Sequence, residues 1–148
     1  MPVSISKTRI CHVKSLYQIE RECFNDPWSM DSLKHEVTHP NSICLVATDE
    51  AGKILGHVTM RKIIDEGYIN NIAVRRAARR NGIGAKLIAE LVLLSRQSGL
   101  NAMTLEVRSK NTAAISLYKK FGFFEQGLRK NYYANPEDDA IIMWKENL

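Results

Sequence analysis

The segment Tyr68–Gly99 leaves few folds open: it reads as a strand, a turn dense in arginine and glycine, and then an amphipathic helix. Tyr68-Ile69-Asn70-Asn71-Ile72-Ala73-Val74 is strand-like and ends on apolar residues. The turn Arg75-Arg76-Ala77-Ala78-Arg79-Arg80-Asn81-Gly82-Ile83-Gly84 follows, after which Ile83, Leu87, Ile88, Leu91 and Leu94 share one helical face. Gly99 stands where a left-handed residue would stop that helix. Glycines at a helix N-terminus let a ligand approach the backbone, where free N–H groups and the helix dipole favour anions. Arg75, Arg76, Arg79 and Arg80 strengthen that field. The expectation is a phosphate site.

Two familiar phosphate loops fail on spacing. No Gly-x-x-x-x-Gly-Lys-Ser/Thr is present, and the dinucleotide pattern Gly-x-Gly-x-x-Gly, begun by Gly82 and Gly84, meets Leu87 at its third position. What stands is Arg79-Arg80-Asn81-Gly82-Ile83-Gly84, an Arg-x-x-Gly-x-Gly pattern. It resembles the pyrophosphate loop of the GCN5-related N-acetyltransferases (GNAT family), which bind acetyl-coenzyme A. On the motif alone, an ordinary helix start behind a solvated basic turn is as good a reading.

Downstream residues extend the resemblance. Ala102-Met103-Thr104-Leu105-Glu106-Val107 alternates like a strand, with Met103, Leu105 and Val107 on one side and Glu106 on the other. A helix opens at Asn111 and ends near Gly122; earlier in the chain Ser29 reads as the N-cap of a short helix to about Val37, and Glu66-Gly67 as the turn between strands Ile54–Ile64 and Tyr68–Val74. Leu105-Glu106-Val107-Arg108, Asn111, Ala114-Ile115, Leu117-Tyr118 and Phe121-Gly122-Phe123 are similar to the second half of the same family. Asp26-Pro27-Trp28-Ser29, Asn71-Ile72-Ala73-Val74, Arg129-Lys130-Asn131-Tyr132-Tyr133 and Asp138-Asp139-Ala140-Ile141-Ile142-Met143 resemble its RimI-type branch, bacterial ribosomal-protein-alanine N-acetyltransferases. The order and spacing of these segments carry the resemblance, not any one of them.

The resemblance implies an α/β GNAT fold in a single domain spanning residues 1–148, a mixed central sheet of about seven strands with about four helices. It implies transfer from acetyl-CoA to the α-amine of an N-terminal alanine, that of a small-subunit ribosomal protein, by direct amine attack in a ternary complex. Ile72, Ala73 and Val74 would offer backbone groups to the cofactor, with the Val74 N–H polarising the thioester carbonyl. Arg79, Arg80, Asn81, Gly82, Ile83, Gly84 and Ala85 would hold the pyrophosphate, and Asn111 a further part of coenzyme A. Glu106 matches the general base and Tyr118 the general acid. Read without the family, Glu106 is the solvent face of a strand and Tyr118 a half-buried aromatic on an amphipathic helix.

The acceptor side is implied at Trp28 and Met30 after the first helix, and at Tyr132, Tyr133 and Asp138 in the closing region. Asp138 and Asp139 would receive a basic peptide; read without the family, Pro136-Glu137-Asp138-Asp139 is a solvated hairpin turn. A relaxed N-terminal acetyltransferase fits equally well, and a small-amine acetyltransferase of the same fold remains open.

Two other patterns point to different chemistries. His35-Glu36-Val37-Thr38-His39 spells the zinc-protease His-Glu-x-x-His, but His39 precedes Pro40, which disfavours helical geometry there, and Ser42 stands where the longer signature needs glycine. No metal is expected. A net charge of +5 allows affinity for phosphate backbones, yet the densest basic cluster is the anion loop itself and no RNA-binding signature accompanies it, so no direct nucleic-acid role is expected. The 148 residues, 45% hydrophobic and 25% charged, have ordinary globular proportions. No apolar run approaches the ~20 residues of a membrane span, and the N-terminus has no signal-peptide pattern. Cys11, Cys23 and Cys44, an odd set without a Cys-x-x-Cys, suggest reduced core thiols and a cytoplasmic chain.

Overall fold

Alternating side chains divide this chain's sheet into two apolar faces. The computed structural model describes residues 2–148. Strands β1 (Ser4–Lys7), β2 (Ser42–Thr48), β3 (Ile54–Ile63), β4 (Glu66–Val74), β5 (Ala102–Arg108), β6 (Phe124–Tyr133) and β7 (Asp138–Lys145) form one mixed sheet in the order β1-β2-β3-β4-β5-β7-β6. Neighbours are antiparallel except β4 and β5, which run parallel. Helices α1 (Val13–Cys23), α2 (Met30–Thr38), α3 (Ile83–Gln97) and α4 (Thr112–Lys120) pack on its faces.

Leu45, Ala47, Met60, Ile69, Met103 and Leu105 meet Leu87, Ile88 and Leu91 of α3 in the larger core. Val46 and Ala73 point the other way, to Val13, Leu16 and Ile19 of α1 and Leu33 of α2. Each such buried side chain contributes about 1.5–3 kcal/mol relative to exposure. The expected α3 stripe is thus in place, with Leu94 packed at its edge. Ser29 caps α2, its Oγ accepting from the Ser32 N–H at 3.1 Å. Gly99 takes φ +78° just beyond α3, as its placement implied.

Three expectations need correction. The β3–β4 turn is Ile64-Asp65, not Glu66-Gly67, which are already in β4. Gly67 is required for packing, because a Cβ there would lie 2.5 Å from Met60 Sδ. The left-handed turn residue is instead Ile64, at φ 58° and 96% exposed. Asp138 and Asp139 begin β7 and are not part of a solvated turn. Of the cysteines, Cys44 is buried, whereas Cys23 is half-buried and Cys11 exposed. Among the described residues no helix is long and apolar enough to cross a membrane.

Candidate active site

The parallel ladder between β4 and β5 runs from Glu66↔Ala102 to Ile69↔Leu105 and then stops. The cause lies on the other edge of β4. Its pairing with β3 passes from Met60↔Ile69 to Thr59↔Asn71, leaving Asn70 as an extra residue. Such a bulge bends its strand. Beyond it β4 leaves β5, and a cleft of about 700 Å³ opens, lined among others by Trp28, Asn71, Glu106, Tyr118, Tyr132 and Tyr133.

Antiparallel alternation sets which backbone groups face this gap. The Arg75 N–H donates to Leu55 O across β3 at 2.8 Å, so Ala73 also turns its backbone to β3, while Ile72 and Val74 turn theirs away. The Val74 carbonyl accepts from Arg79 Nε (3.1 Å) and Cys23 Sγ (3.4 Å), consistent with that phase. Ile72 and Val74 therefore present N–H groups on the cleft side. Ala73 does not; its side chain is buried against α1.

The glycine turn is a concave row of backbone donors. Arg80 (φ 66°) and Gly82 (φ 73°) are both left-handed, and such alternation points successive N–H groups inward. The first bond back into α3 runs from Lys86 N to Gly82 O at 3.1 Å, so the N–H groups of Ile83, Gly84 and Ala85 have no helical partner. Ile83 itself is core, and a Cβ on Gly84 would sit 3.2 Å from Leu117 Cδ2, so that glycine serves α3–α4 packing. Two side chains expected at an anion are used otherwise. Arg79 folds back on Val74 and Cys23, and Asn81 Nδ2 ties the loop to Ala78 O (3.0 Å) and Arg79 O (3.3 Å). The α1 end braces the same loop, where Glu22 Oε2 accepts from the Arg76 N–H at 2.7 Å.

Glu106 and Tyr118 both line the gap. Glu106 stands on the face of β5 opposite Leu105 and Val107; its side chain is 10% exposed, and Tyr68 OH donates to its Oε1 at 2.5 Å. Arg129 Nε lies 3.6 Å from Oε2. Tyr118 comes from α4, with its ring tilted against Phe123 at 5.6 Å between centroids. Burial, with Tyr133 nearby, pushes its phenol well above the ordinary tyrosine range, so it remains a proton donor at neutral pH. Asn111 caps α4 through Oδ1, which accepts from Ala114 N at 3.2 Å, while the residue borders the cleft.

Around the acceptor end, Trp28, Tyr132 and Tyr133 line the cleft. Tyr132 and Tyr133 meet edge to face at 5.0 Å, and the Arg108 guanidinium lies 4.3 Å from the Tyr133 ring centre. Burial, followed by the charge of Glu106, raises the Tyr133 phenol to about 12. Met30 packs with Trp28 against the α1–α2 core and is not among the residues lining the cleft. The Asp138 carboxylate is also not available to a peptide. It accepts from Ser109 Oγ at 2.5 Å and from the N–H groups of Lys110 (3.2 Å) and Asp139 (2.7 Å). It thereby fixes the β5–α4 connection.

These donors, the Ser109 hydroxyl first, hold the Asp138 carboxyl below the usual carboxylate range. A lowered folded-state pKa stabilises the fold above the unfolded value and loses that effect as pH falls through the folded one. Asp138→Asn is therefore expected to melt at lower temperature than the parent at pH 7. The two melting temperatures should converge as pH falls below the ordinary carboxylate range, as thermal melts followed across pH would show.

Sequence reasoning missed four further residues of the rim. Asn25 Nδ2 donates to Asn135 O at 2.7 Å and Asn135 Nδ2 to Asp26 Oδ1 at 3.4 Å, so the β6–β7 hairpin meets the α1–α2 connection at the cleft mouth. Arg108 donates to Pro136 O at 2.6 Å on the same hairpin. The fourth, Tyr68, reaches Glu106 from across the gap. The His-Glu-x-x-His residues are structural. Glu36 turns inward and accepts from Arg61 (2.6 and 3.2 Å), Asn70 (3.2 Å) and Ser42 (2.9 Å). His39 lies past the end of α2 at ψ 133° and accepts from the Asn41 N–H at 3.0 Å.

A row of backbone donors at a helix start, and a strand gap lined by a carboxylate and a phenol, suit acyl transfer between a phosphate-bearing carrier and an amine. The chain belongs to the acetyltransferase (GNAT) family, whose model matches residues 13–123. It is 32% identical over 142 residues to the ribosomal protein bS18-alanine N-acetyltransferase of Haemophilus influenzae, covering 94% of this chain and 95% of the relative. The crystal structure of the ribosomal-protein-S18-alanine N-acetyltransferase from Escherichia coli superposes with a TM-score of 0.92 at 30% identity, covering 99% of this chain and 94% of that one. Ard1 from Thermoplasma volcanium gives a TM-score of 0.90 at 29% identity, covering 100% and 99%.

Proposed function

We propose that this enzyme moves an acetyl group from acetyl-CoA to the α-amine of an N-terminal alanine on a ribosomal protein. The observation that carries the reading is the strand gap: Ile72, Glu106 and Tyr118 line one cleft, and the Val74 N–H points from the same edge of β4. Kinship with enzymes named for that acceptor supports the choice of substrate.

In this reading the row of N–H groups binds the pyrophosphate, and Arg80 adds charge from its exposed position. Glu106 Oε2 takes a proton from the acceptor ammonium, directly or through a water. The freed amine attacks the thioester carbonyl, and the Val74 N–H stabilises the oxygen on which charge develops. The carbon–sulfur bond breaks, Tyr118 gives its proton to the departing thiolate, and the second proton shed by the acylated nitrogen restores the phenol through solvent. An α-amine titrates near 7.7–8.0 and lysine near 10.4, so a carboxylate base suits an N-terminus far better than an internal lysine. The whole chain acts as one domain, in the cytoplasm where ribosomal proteins are made.

Mass spectrometry tests the reading. An alanine-initiated basic peptide is incubated with enzyme and acetyl-CoA, beside the same peptide with a blocked N-terminus and an internal lysine. The expected product is a single acetyl group, on the free N-terminus alone. Acetylated lysine, or no product on either peptide, overturns it.

A further inference from the structure

Tyr68 reaches Glu106 from the opposite side of the gap. It occupies the second-last rung of the β4–β5 ladder: Tyr68 pairs with Thr104 on β5, and with Arg61 on β3, just before the Asn70 bulge turns β4 away. Glu106 stands two residues beyond Thr104, on the same face of β5. A side chain long enough to cross one strand spacing therefore meets it, and the phenol donates to Oε1 at 2.5 Å. Burial first, then this bond, keeps the Tyr68 phenol protonated.

The two carboxylate oxygens are thus unequal. Oε1 is committed to Tyr68, whereas Oε2 is buried with no hydrogen-bond partner. The other charged or titratable groups facing the carboxylate are Arg129, Tyr132 and Tyr133 of β6, while β7 presents the apolar Ile142 as its cross-strand partner. Arg129, at 3.6 Å, is mostly exposed and lies over the Tyr132 ring. A buried oxygen without a donor is costly to the fold and is the atom placed to receive one.

We propose that Tyr68 is a positioning residue for acetyl transfer: by holding Oε1 of Glu106 it orients Oε2 to accept the proton of the incoming amine. This rests on the assignment of Glu106 as the base.

The test compares steady-state kinetics of wild type, Tyr68→Phe, Glu106→Gln and the double variant, with the alanine-initiated peptide as acceptor. Tyr68→Phe should lower kcat at pH 7 about tenfold, leaving the KM for acetyl-CoA unchanged. In the Glu106→Gln background it should add less than about twofold, because its effect runs through the carboxylate. An unchanged kcat, or losses that multiply in the double variant, overturns the proposal while the acetyltransferase reading stands. Absence of transfer by the wild type would overturn that reading itself.

Discussion

Glu106→Gln is expected to lower kcat at pH 7 by about 10²–10⁴-fold, the usual contribution of a positioned general base. The amide is isosteric and still accepts from Tyr68, so the packing around this nearly buried side chain is kept. What disappears is the lone pair basic enough to take a proton from an ammonium. Acetyl-CoA affinity should not change, because the donors expected to hold it lie on β4 and on the loop before α3. The deficit should also depend on pH in a definite direction. Below the α-amine pKa of about 7.7–8.0 nearly all acceptor is protonated and the base is needed. By pH 9 most of it is already neutral, so the variant should regain much of its rate relative to wild type. Steady-state kinetics between pH 6 and pH 9 with calorimetry for coenzyme A would show this, and full activity at pH 7 would sink the assignment.

What the sequence disclosed and what it hid divide along one physical line. Local periodicity and caps were readable because each depends on neighbours in the chain. The α3 stripe, the Ser29 cap, the Gly99 stop and the alternation of β5 are all of this kind. So was the acyltransferase loop, whose glycine and arginine spacing is itself a local pattern. Contacts fixed by strand register were not readable. Nothing in the residues near Tyr68 says that it pairs with Thr104, and without that offset its bond to Glu106 cannot be inferred. Asp138 misled for the same reason, since its Ser109 partner lies 29 positions away in the chain. Gly67 misled differently. Glycine signals either a turn or a close approach, and here Met60 needed the space while Ile64 took the turn.

Arg79 shows that a side chain of the anion-loop motif can also brace the loop. Its charge marks the anion loop, but its guanidinium binds Val74 O and Cys23 Sγ, locking the end of β4 to the start of the loop. That lock holds the Val74 N–H, the proposed oxyanion donor, in fixed relation to the row of N–H groups after it. Glu22 adds a second tie through Arg76 N. Preorganised donors of this sort cost no reorganisation as charge develops.

Gly82→Glu should therefore remove acetyl-CoA binding and leave the fold in place, with the dissociation constant rising by at least about a hundredfold, or ~2.8 kcal/mol. Space is not the obstacle for the protein itself, because a Cβ at this position would meet nothing within 4 Å. The left-handed backbone, at φ +73°, costs a non-glycine residue about 1–2 kcal/mol, which a domain of this size tolerates. The new side chain, however, starts from the concave side of a loop whose N–H groups and helix dipole are arranged for an anion. A carboxylate there occupies the donors and repels a pyrophosphate. Gly82→Asn separates the causes: asparagine tolerates the left-handed region and carries no charge, so its loss of affinity should be clearly smaller. Calorimetry with coenzyme A, beside a thermal melt of each variant, reads both quantities. Normal binding by Gly82→Glu would place the anion site elsewhere on the chain, and equal losses in the two variants would make bulk, not charge, the reason for glycine.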